Sequence, residues 1–254
     1  MDKKTLTDIV LFSQMPSIDL KSALSLGDLP RPVLALCGCE QNPLYHPEGD
    51  VFVHTCNVMD YFAAHRLHDV QEDLIVGLAC LCHDLGKPVV TKNGSSVDDE
   101  GFYHAHDVAG ARVTRRLLTD MKFDHDIVED VANLVENHMV DLADCSEAGL
   151  RRVGKRVRNI KRLIRLRDAD SWGRGVTPAK KKQEKTLKVL DRLHQMQVKD
   201  QIPKPLVMGR HLIALGVSPG REMGDILQKL FDLQLAGRFS TVEDGIAIWR
   251  SGDM

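Results

Sequence analysis

Residues 72–88 read EDLIVGLACLCHDLGKP, a run in which apolar residues recur at the spacing of an α-helix. Gly86 with Pro88 just beyond it is a usual signal for the end of a helix, so a helix is predicted over this stretch. His83 and Asp84 then fall in its last turn. Because polar groups on an apolar helix are costly to bury, we expect these two to be paired or bound to a metal.

The clearest amphipathic pattern follows Asp124, which is a plausible helix N-cap. One helical stripe, which also contains His138, is formed by Ile127, Val128, Val131, Leu134 and Val135. His138 is therefore expected to point inward. A further helix is predicted over residues 51–67, entered through a turn-rich segment and carrying His54 in its first turn.

A helix near residues 159–171 places Leu163 and Asp170 seven positions apart, and so on nearly the same face. Residues 87–103 are predicted to form a polar loop of a length that often covers a site. Apart from a short strand candidate at residues 89–103, no strand pattern is found. The sequence therefore predicts an all-α fold.

Composition favours a globular protein, because 254 residues with 43% apolar content can bury a core. There is no run of eighteen uncharged apolar residues, and residues 1–8 are polar without a signal region, so we expect a cytoplasmic protein with no membrane contact. The six cysteines show no zinc-type spacing and are interpreted as reduced core residues.

Charge is unevenly distributed although the net charge is only −2. Residues 151–188 hold 15 Lys or Arg against three acidic residues, a local charge of +12. Two interpretations stay open, a surface that attracts phosphate and a solvated helix face. The low aromatic content of 5% argues modestly against base-stacking platforms.

Four side chains from separate predicted helices are candidates for one metal site, namely His54, His83, Asp84 and Asp170. Histidine and carboxylate are usual ligands of a catalytic divalent ion. All four lie at inward-facing or helix-end positions, which makes convergence geometrically feasible. The remaining histidines are interpreted as structural or exposed: His46, His65, His68, His104, His125, His194 and His211.

The order of these residues resembles the HD phosphohydrolase superfamily, in which a His-Asp pair such as that in HDLGK (residues 83–87) is characteristic. More narrowly, QNPLYHPEGDVFVHT (residues 41–55) resembles the entry to the HD domain of bacterial CCA-adding tRNA nucleotidyltransferases. Later blocks of that domain are similar to GFYHAHDVAGA (101–111), ENHM (136–139) and ADSWGR (169–174), and its RNA-facing tail is similar to residues 205–220.

The resemblance covers roughly residues 30–250. It implies an HD-domain helical core with additional helical segments, divided into residues 1–45 (N-terminal segment), 46–175 (metal-binding domain) and 176–254 (tail-like region). The glycine-rich loop and Asp-x-Asp carboxylates of a nucleotidyltransferase head have no counterpart in the sequence, so we do not expect CCA addition.

The resemblance also implies site residues. His54, His83, Asp84 and Asp170 would be metal ligands, with His106 and His138 as candidates for a second ion. Asp84 would orient or deprotonate the attacking water, and Lys87 would neutralise substrate phosphate. Arg174 and Arg112 are weaker phosphate candidates. The cofactor would be one or two divalent metal ions, with Mg, Mn, Ni, Fe, Co and Zn as candidates.

The function so implied is metal-dependent phosphodiesterase or phosphatase activity on nucleotides or RNA ends, for example 2′,3′-cyclic nucleotides or 2′-phosphates. One alternative is a tRNA or RNA-binding module with little or no catalysis. Another is a partner subunit of a separate nucleotidyltransferase, which an exposed apolar patch on the N-terminal region would favour. No pattern in the sequence favours a particular oligomeric state.

Overall fold

The computed structural model describes residues 1–92, 105–175, 180–195 and 204–252, and within these ranges the regular structure is helical. The helices are α1 (Lys3–Phe12), α2 (Pro16–Ser25), α3 (Arg31–Leu34), α4 (Val51–Ala64), α5 (Val70–Cys82), α6 (Lys87–Lys92), α7 (His106–Asp120), α8 (His125–Asn137), α9 (Glu147–Val157), α10 (Ile160–Gly173), α11 (Lys180–Gln195), α12 (Gly209–Ile213), α13 (Arg221–Leu235) and α14 (Val242–Ser251). The all-α prediction is confirmed.

The chain groups into two compact units. The first comprises residues 1–140 and 160–186, and the second comprises residues 141–159 and 187–254. This is a grouping of contacts, so the domain boundaries expected after residues 45 and 175 stay predictions. None of the described helices is long and apolar enough to cross a membrane.

Helix α5 forms the centre of the first unit. It packs against α1, α4, α8 and α10, and Val76, Leu78 and Leu81 are inaccessible to solvent on its different faces. A helix that is apolar all round is stable when neighbours cover every side, which explains why residues 72–82 show little amphipathic contrast. Two further pairs complete the unit, α7 with α8 and α10 with α4.

Buried ion pairs also join helices of the first unit. Arg162 of α10 donates to Asp130 of α8 at 2.7 Å and to Glu72 of α5 at 2.9 Å. Arg165 donates to Asp73, which is 2% exposed, at 2.6 Å. Charges buried in this way are tolerated because each has an oppositely charged partner that replaces lost water contacts.

The second unit contains α9, α12, α13, α14 and the later part of α11. Its core is formed by Val207, Leu212, Met223, Leu230 and Phe239. Helix α13 contacts α9, α12 and α14, so it is the common partner of these helices.

Most predicted helices are present, with some shifted ends. The helix predicted over residues 51–67 is α4 and ends at Ala64, and the one centred on residues 72–82 ends at Cys82 rather than Gly86. Residues 87–92 form α6. The loop predicted over residues 87–103 is therefore wrong for residues 87–92, and the strand candidate at residues 89–103 is wrong for residues 89–92. Pro88 lies in the first turn of α6, where proline is tolerated. The rest of both predictions falls outside the described residues.

Candidate metal centre

His54 is positioned by the start of α4. Asp50 is the N-cap of this helix, and its side chain accepts hydrogen bonds from the Val53 N–H at 2.9 Å and the Gly38 N–H at 2.7 Å. This arrangement satisfies a helix-end donor and fixes the direction in which α4 begins. The His54 ring consequently lies in the first turn, with no exposure to solvent.

His83 is the C-cap of α5, and its Nδ1 lies 2.8 Å from the Cys80 carbonyl oxygen. Because a carbonyl only accepts, Nδ1 carries a proton, so Nε2 is the ring nitrogen that a metal would bind. Nε2 is buried without a hydrogen-bond partner among the described residues. It lies 3.3 Å from Asp84 Oδ2 and 3.9 Å from Asp170 Oδ1. A cation bound between Nε2 and these two carboxylates would supply the partner that the described residues do not.

Asp170 reaches the same point from α10. Its Oδ1 lies 3.1 Å from His54 Nε2. The close approach of α10 to α4 requires Gly173, because a Cβ there would lie 2.3 Å from Val58 Cγ2 and 3.2 Å from His54 Cε1. Asp170 thus shares the last turn of α10 with the glycine that lets the two helices meet.

The separations of these ligand atoms fit a single cation. Metal–ligand bonds of about 2.1 Å place neighbouring ligand atoms roughly 3–3.5 Å apart. Two of the observed spacings, 3.1 and 3.3 Å, lie in this range, and the third, 3.9 Å, lies just above it. One ligand atom from each of His54, His83 and Asp84 also lies within 4.8 Å of the others. The donor set and the orphaned Nε2 of His83 therefore suit a divalent ion.

A second group of ligands adjoins the first. His106 Nε2 lies 3.2 Å from His138 Nε2 and 3.6 Å from Asp84 Oδ1. The Nδ1–H of His138 donates to the Val135 carbonyl at 2.6 Å, which leaves Nε2 as its ligand atom. Because Asp84 directs Oδ2 to the first group and Oδ1 to the second, its carboxylate could bridge two ions.

Positive side chains line the pocket beside these groups. Lys87, which is 7% exposed, donates to Asp84 Oδ2 and to Gln41 Oε1, both at 2.7 Å. Arg174 lines the same pocket, whereas Arg112 is exposed on α7. The other lining residues are Asn42, Tyr45, His46, Asp84, His106, His138, Met139 and Asp170.

The electrostatics keep the carboxylates ionised. Burial opposes ionisation, but the charges of His83 and Lys87 hold the pKa of Asp84 well below its usual value. In the same way, the hydrogen bond from His54 outweighs burial and holds the pKa of Asp170 well below its usual value. Burial, aided by the charges of His83 and His106, lowers the pKa of His138 to about 4. Ionised carboxylates and a neutral imidazole are the forms that bind metals, and because the hydrogen bonds to Asp170 and Glu48 outweigh burial and raise the pKa of His54 to about 9, a metal would displace a proton from that ring.

The structure brings together the four residues predicted for one ion and the two predicted for a second, and metal binding by them stays a prediction. It also places residues that sequence reasoning gave no role. Glu48 Oε1 contacts His54, and Gln41 holds Lys87. His46, interpreted as structural, lies in the pocket wall. Glu48, Gln41 and His46 all belong to residues 41–55. The resemblance of this block to the entry of an HD domain was the one signal in the sequence that could have indicated a role for them.

A family model described as the HD domain matches residues 51–196, more than half of the chain. The chain belongs to the HD domain family. The HD match includes every predicted metal ligand, from His54 to Asp170, and begins after Glu48.

Among curated relatives, the chain is 30% identical to the A-adding tRNA nucleotidyltransferase of Deinococcus radiodurans over 229 residues, 89% of this chain and 51% of the relative. It is 34% identical to the CC-adding tRNA nucleotidyltransferase of Thermus thermophilus over 181 residues, 69% of this chain and 40% of the relative. The multifunctional CCA protein of Pasteurella multocida is 32% identical over 131 residues, 50% of this chain and 30% of that protein. The chain thus spans about half or less of the length of these relatives.

Proposed function

We propose that this HD domain protein is a metal-dependent phosphohydrolase. The observation that carries the proposal is the convergence of His54, His83, Asp84 and Asp170 around an orphaned imidazole nitrogen beside a cationic pocket. A divalent ion bound there would supply positive charge to a phosphoryl group and lower the pKa of water. Two adjoining ligand groups that share Asp84 support a site for one ion or two.

The pocket's own residues would bind and orient the substrate. Lys87 would donate to a phosphoryl oxygen. Its ammonium group lies at the pocket wall, where it donates to Gln41 and Asp84. Gln41 holds that ammonium group and limits the positions it can take. Arg174 would add a second positive charge on the same pocket. Asp84, kept ionised by its neighbours, would orient or deprotonate the attacking water.

The substrate class that we propose is a nucleotide or RNA-end phosphoester, such as a 2′,3′-cyclic nucleotide or a nucleoside 2′-phosphate. The names of the relatives describe enzymes that act on tRNA, which supports an RNA-derived substrate. Tyr45 and His46 lie in the pocket wall, where an aromatic face can contact a base. Lys87 and Arg174 supply charge that complements phosphate.

The test is a hydrolysis assay on the metal-stripped chain with added Mn²⁺, Ni²⁺, Co²⁺ or Mg²⁺. We expect release of phosphate, or opening of a 2′,3′-cyclic nucleotide, that requires the metal and is lost in His83→Ala. The control is His125→Ala, which removes an exposed histidine at the start of α8 and should leave turnover unchanged. No turnover of any phosphoester with any of the metals would overturn the proposal.

A tRNA-binding module with little catalysis is a second candidate. The observation that favours it is the +12 charge of residues 151–188. Such binding would be strongly salt-dependent, because neutralised phosphates release counterions. A tRNA gel shift that weakens steeply with salt, without phosphoester turnover, would favour this function over hydrolysis.

The N-terminal region has the exposed apolar side chains that would favour a partner subunit. Phe12, Met15 and Ile18 are 67%, 49% and 59% exposed, and they lie within seven residues of each other. Large apolar side chains exposed together are a usual feature of protein interfaces. Copurification with a nucleotidyltransferase that Phe12→Ser abolishes would support this alternative, whereas an unaltered chain that captures none would contradict it.

A further inference from the structure

One buried carboxylate outside the predicted ligand set contacts two histidines of the site. Glu48 Oε1 lies 2.7 Å from His54 Nδ1 and 2.8 Å from His46 Nδ1. The Glu48 side chain is 3% exposed, and its Oε2 has no hydrogen-bond partner among the described residues. A carboxylate buried at this level needs compensation, and the two imidazole N–H groups provide it.

Three of the predicted ligand histidines have a ring Nδ1 that is held by a hydrogen bond: His54, His83 and His138. The acceptors of these bonds differ. His83 and His138 are the C-caps of α5 and α8, and each ring donates to a carbonyl three residues earlier. Carbonyls are available there because the last turn of a helix leaves them unpaired. His54 lies in the first turn of α4, where the Asp50 and Val51 carbonyls already accept from the His54 N–H and the Thr55 hydroxyl. Its ring therefore needs an acceptor from outside the helix.

The segment before α4 supplies that acceptor in a fixed place. Gly49 has a φ of 128°, a conformation that side-chain-bearing residues rarely adopt, and Asp50 then caps the helix. Gln41 Nε2 donates to the Gly49 carbonyl at 3.3 Å. Glu48 is thus attached to the same turn that begins the helix of its partner histidine, which places its carboxylate beside the His54 ring.

We propose that Glu48 is a positioning residue for the metal centre. Its Oε1 accepts the His54 Nδ1–H, which keeps His54 Nε2 directed at the position where the cation would bind. Through the same oxygen it holds His46 in the pocket wall, which couples substrate contact to ligand orientation. The inference rests on the proposed metal site. Carboxylates that accept from a metal-bound histidine fix its tautomer and raise its basicity, and their loss weakens binding.

The test uses the full chain stripped of metal, titrated with Mn²⁺ and with Ni²⁺ by calorimetry. We expect Glu48→Gln, which keeps an acceptor but removes the charge, to weaken binding about 10-fold. Glu48→Leu, which removes the acceptor, should weaken binding about 100-fold. The control is Glu222→Gln, which removes the same charge from an exposed position in the first turn of α13 and should bind as the unaltered chain does.

A second readout separates positioning from a merely structural role. Long-range ¹H–¹⁵N spectra of the chain loaded with diamagnetic Zn²⁺ should show a hydrogen-bonded His54 Nδ1–H, and in Glu48→Leu this proton should move upfield and exchange faster with water. Unchanged affinity in both Glu48 variants would overturn the proposal. So would weaker binding with an unchanged His54 Nδ1–H resonance and exchange rate, or loss of one whole equivalent of metal with unchanged affinity for the rest, which would make Glu48 a direct ligand.

The outcome for Glu48 is distinguishable from that for the hydrolase. Graded loss of metal affinity in the Glu48 variants, without hydrolysis by any form, supports the positioning role and overturns only the proposed function. Hydrolysis and metal affinity that both persist in Glu48→Leu overturn only the positioning role. An unaltered chain that binds neither Mn²⁺, Ni²⁺ nor Zn²⁺ overturns both.

Discussion

Replacing Gly86 by alanine should disturb the site without removing any functional group. Gly86 lies between Asp84 and Lys87, where the chain turns from α5 into α6. A Cβ built on it would lie 1.9 Å from the His106 carbonyl oxygen and 2.6 Å from the Gly110 amide nitrogen. Both atoms belong to the backbone of α7, so no side-chain rotation can relieve the contact.

The size of the effect follows from these distances. Ordinary carbon contacts are about 3.5 Å, so α7 would have to retreat by roughly 1.6 Å at the His106 carbonyl and roughly 0.9 Å at the Gly110 amide. Overpacking of this kind costs about 1–3 kcal/mol, and a backbone obstacle favours the upper end, about 3 kcal/mol. Because His106 begins α7, the shift should also move it from Asp84, and misplacement by about 1 Å can lower a rate about 100-fold.

The measurements are urea unfolding of the metal-free chain, for the free energy of unfolding, and kcat/KM for the phosphoester found in the hydrolysis assay. The matched control is Gly154→Ala in α9, where a new Cβ meets nothing within 4 Å. That change should stabilise the protein by about 0.5–1 kcal/mol. A Gly86→Ala protein as stable and as active as the unaltered chain would refute the packing of α7 against this turn.

Three other experiments test separate parts of the structure. Arg162→Ala should lower the free energy of unfolding by about 3 kcal/mol, because it leaves the buried Asp130 without its guanidinium partner, and an unchanged urea midpoint would contradict this. Thiol titration of the native chain at pH 8 should leave Cys56 and Cys82 unmodified, since burial raises the pKa of each to about 12, whereas rapid labelling of either would show that it is accessible. Lys87→Met should lower kcat/KM for hydrolysis about 10²–10³-fold with metal still bound, and an unchanged kcat/KM would contradict phosphate contact by Lys87.

The sequence correctly predicted features that depend on the local spacing of apolar residues. The stripe after Asp124 predicted α8, because a 3.6-residue repeat is intrinsic to a helix that buries one face. His138 was correctly expected to be buried for the same reason. The grouping of residues 141–159 with residues after 186 was not readable, because it joins segments that are distant in the chain.

Other features depended on tertiary contacts or on ambiguous signals. Gly86 and Pro88 indicated the end of one helix, but the same residues also suit the start of α6, so residues 87–92 were wrongly predicted as a loop. Glu48 could not be assigned a partner, because it lies in an irregular turn without periodicity and its contacts depend on where α4 begins. Ligand convergence was inferred from resemblance and helix position, since no spacing rule joins His54 to Asp170.

The central claim is that a divalent cation binds between α4, the turn after α5 and the end of α10. Anomalous diffraction from crystals grown with Mn²⁺ or Zn²⁺, recorded on both sides of the metal's absorption edge, tests it most directly. We predict a peak bounded by His54 Nε2, His83 Nε2 and the carboxylates of Asp84 and Asp170, at about 2.0–2.3 Å from each ligand atom. A fully loaded crystal with no peak among these four side chains, or with metal only elsewhere, would contradict the account.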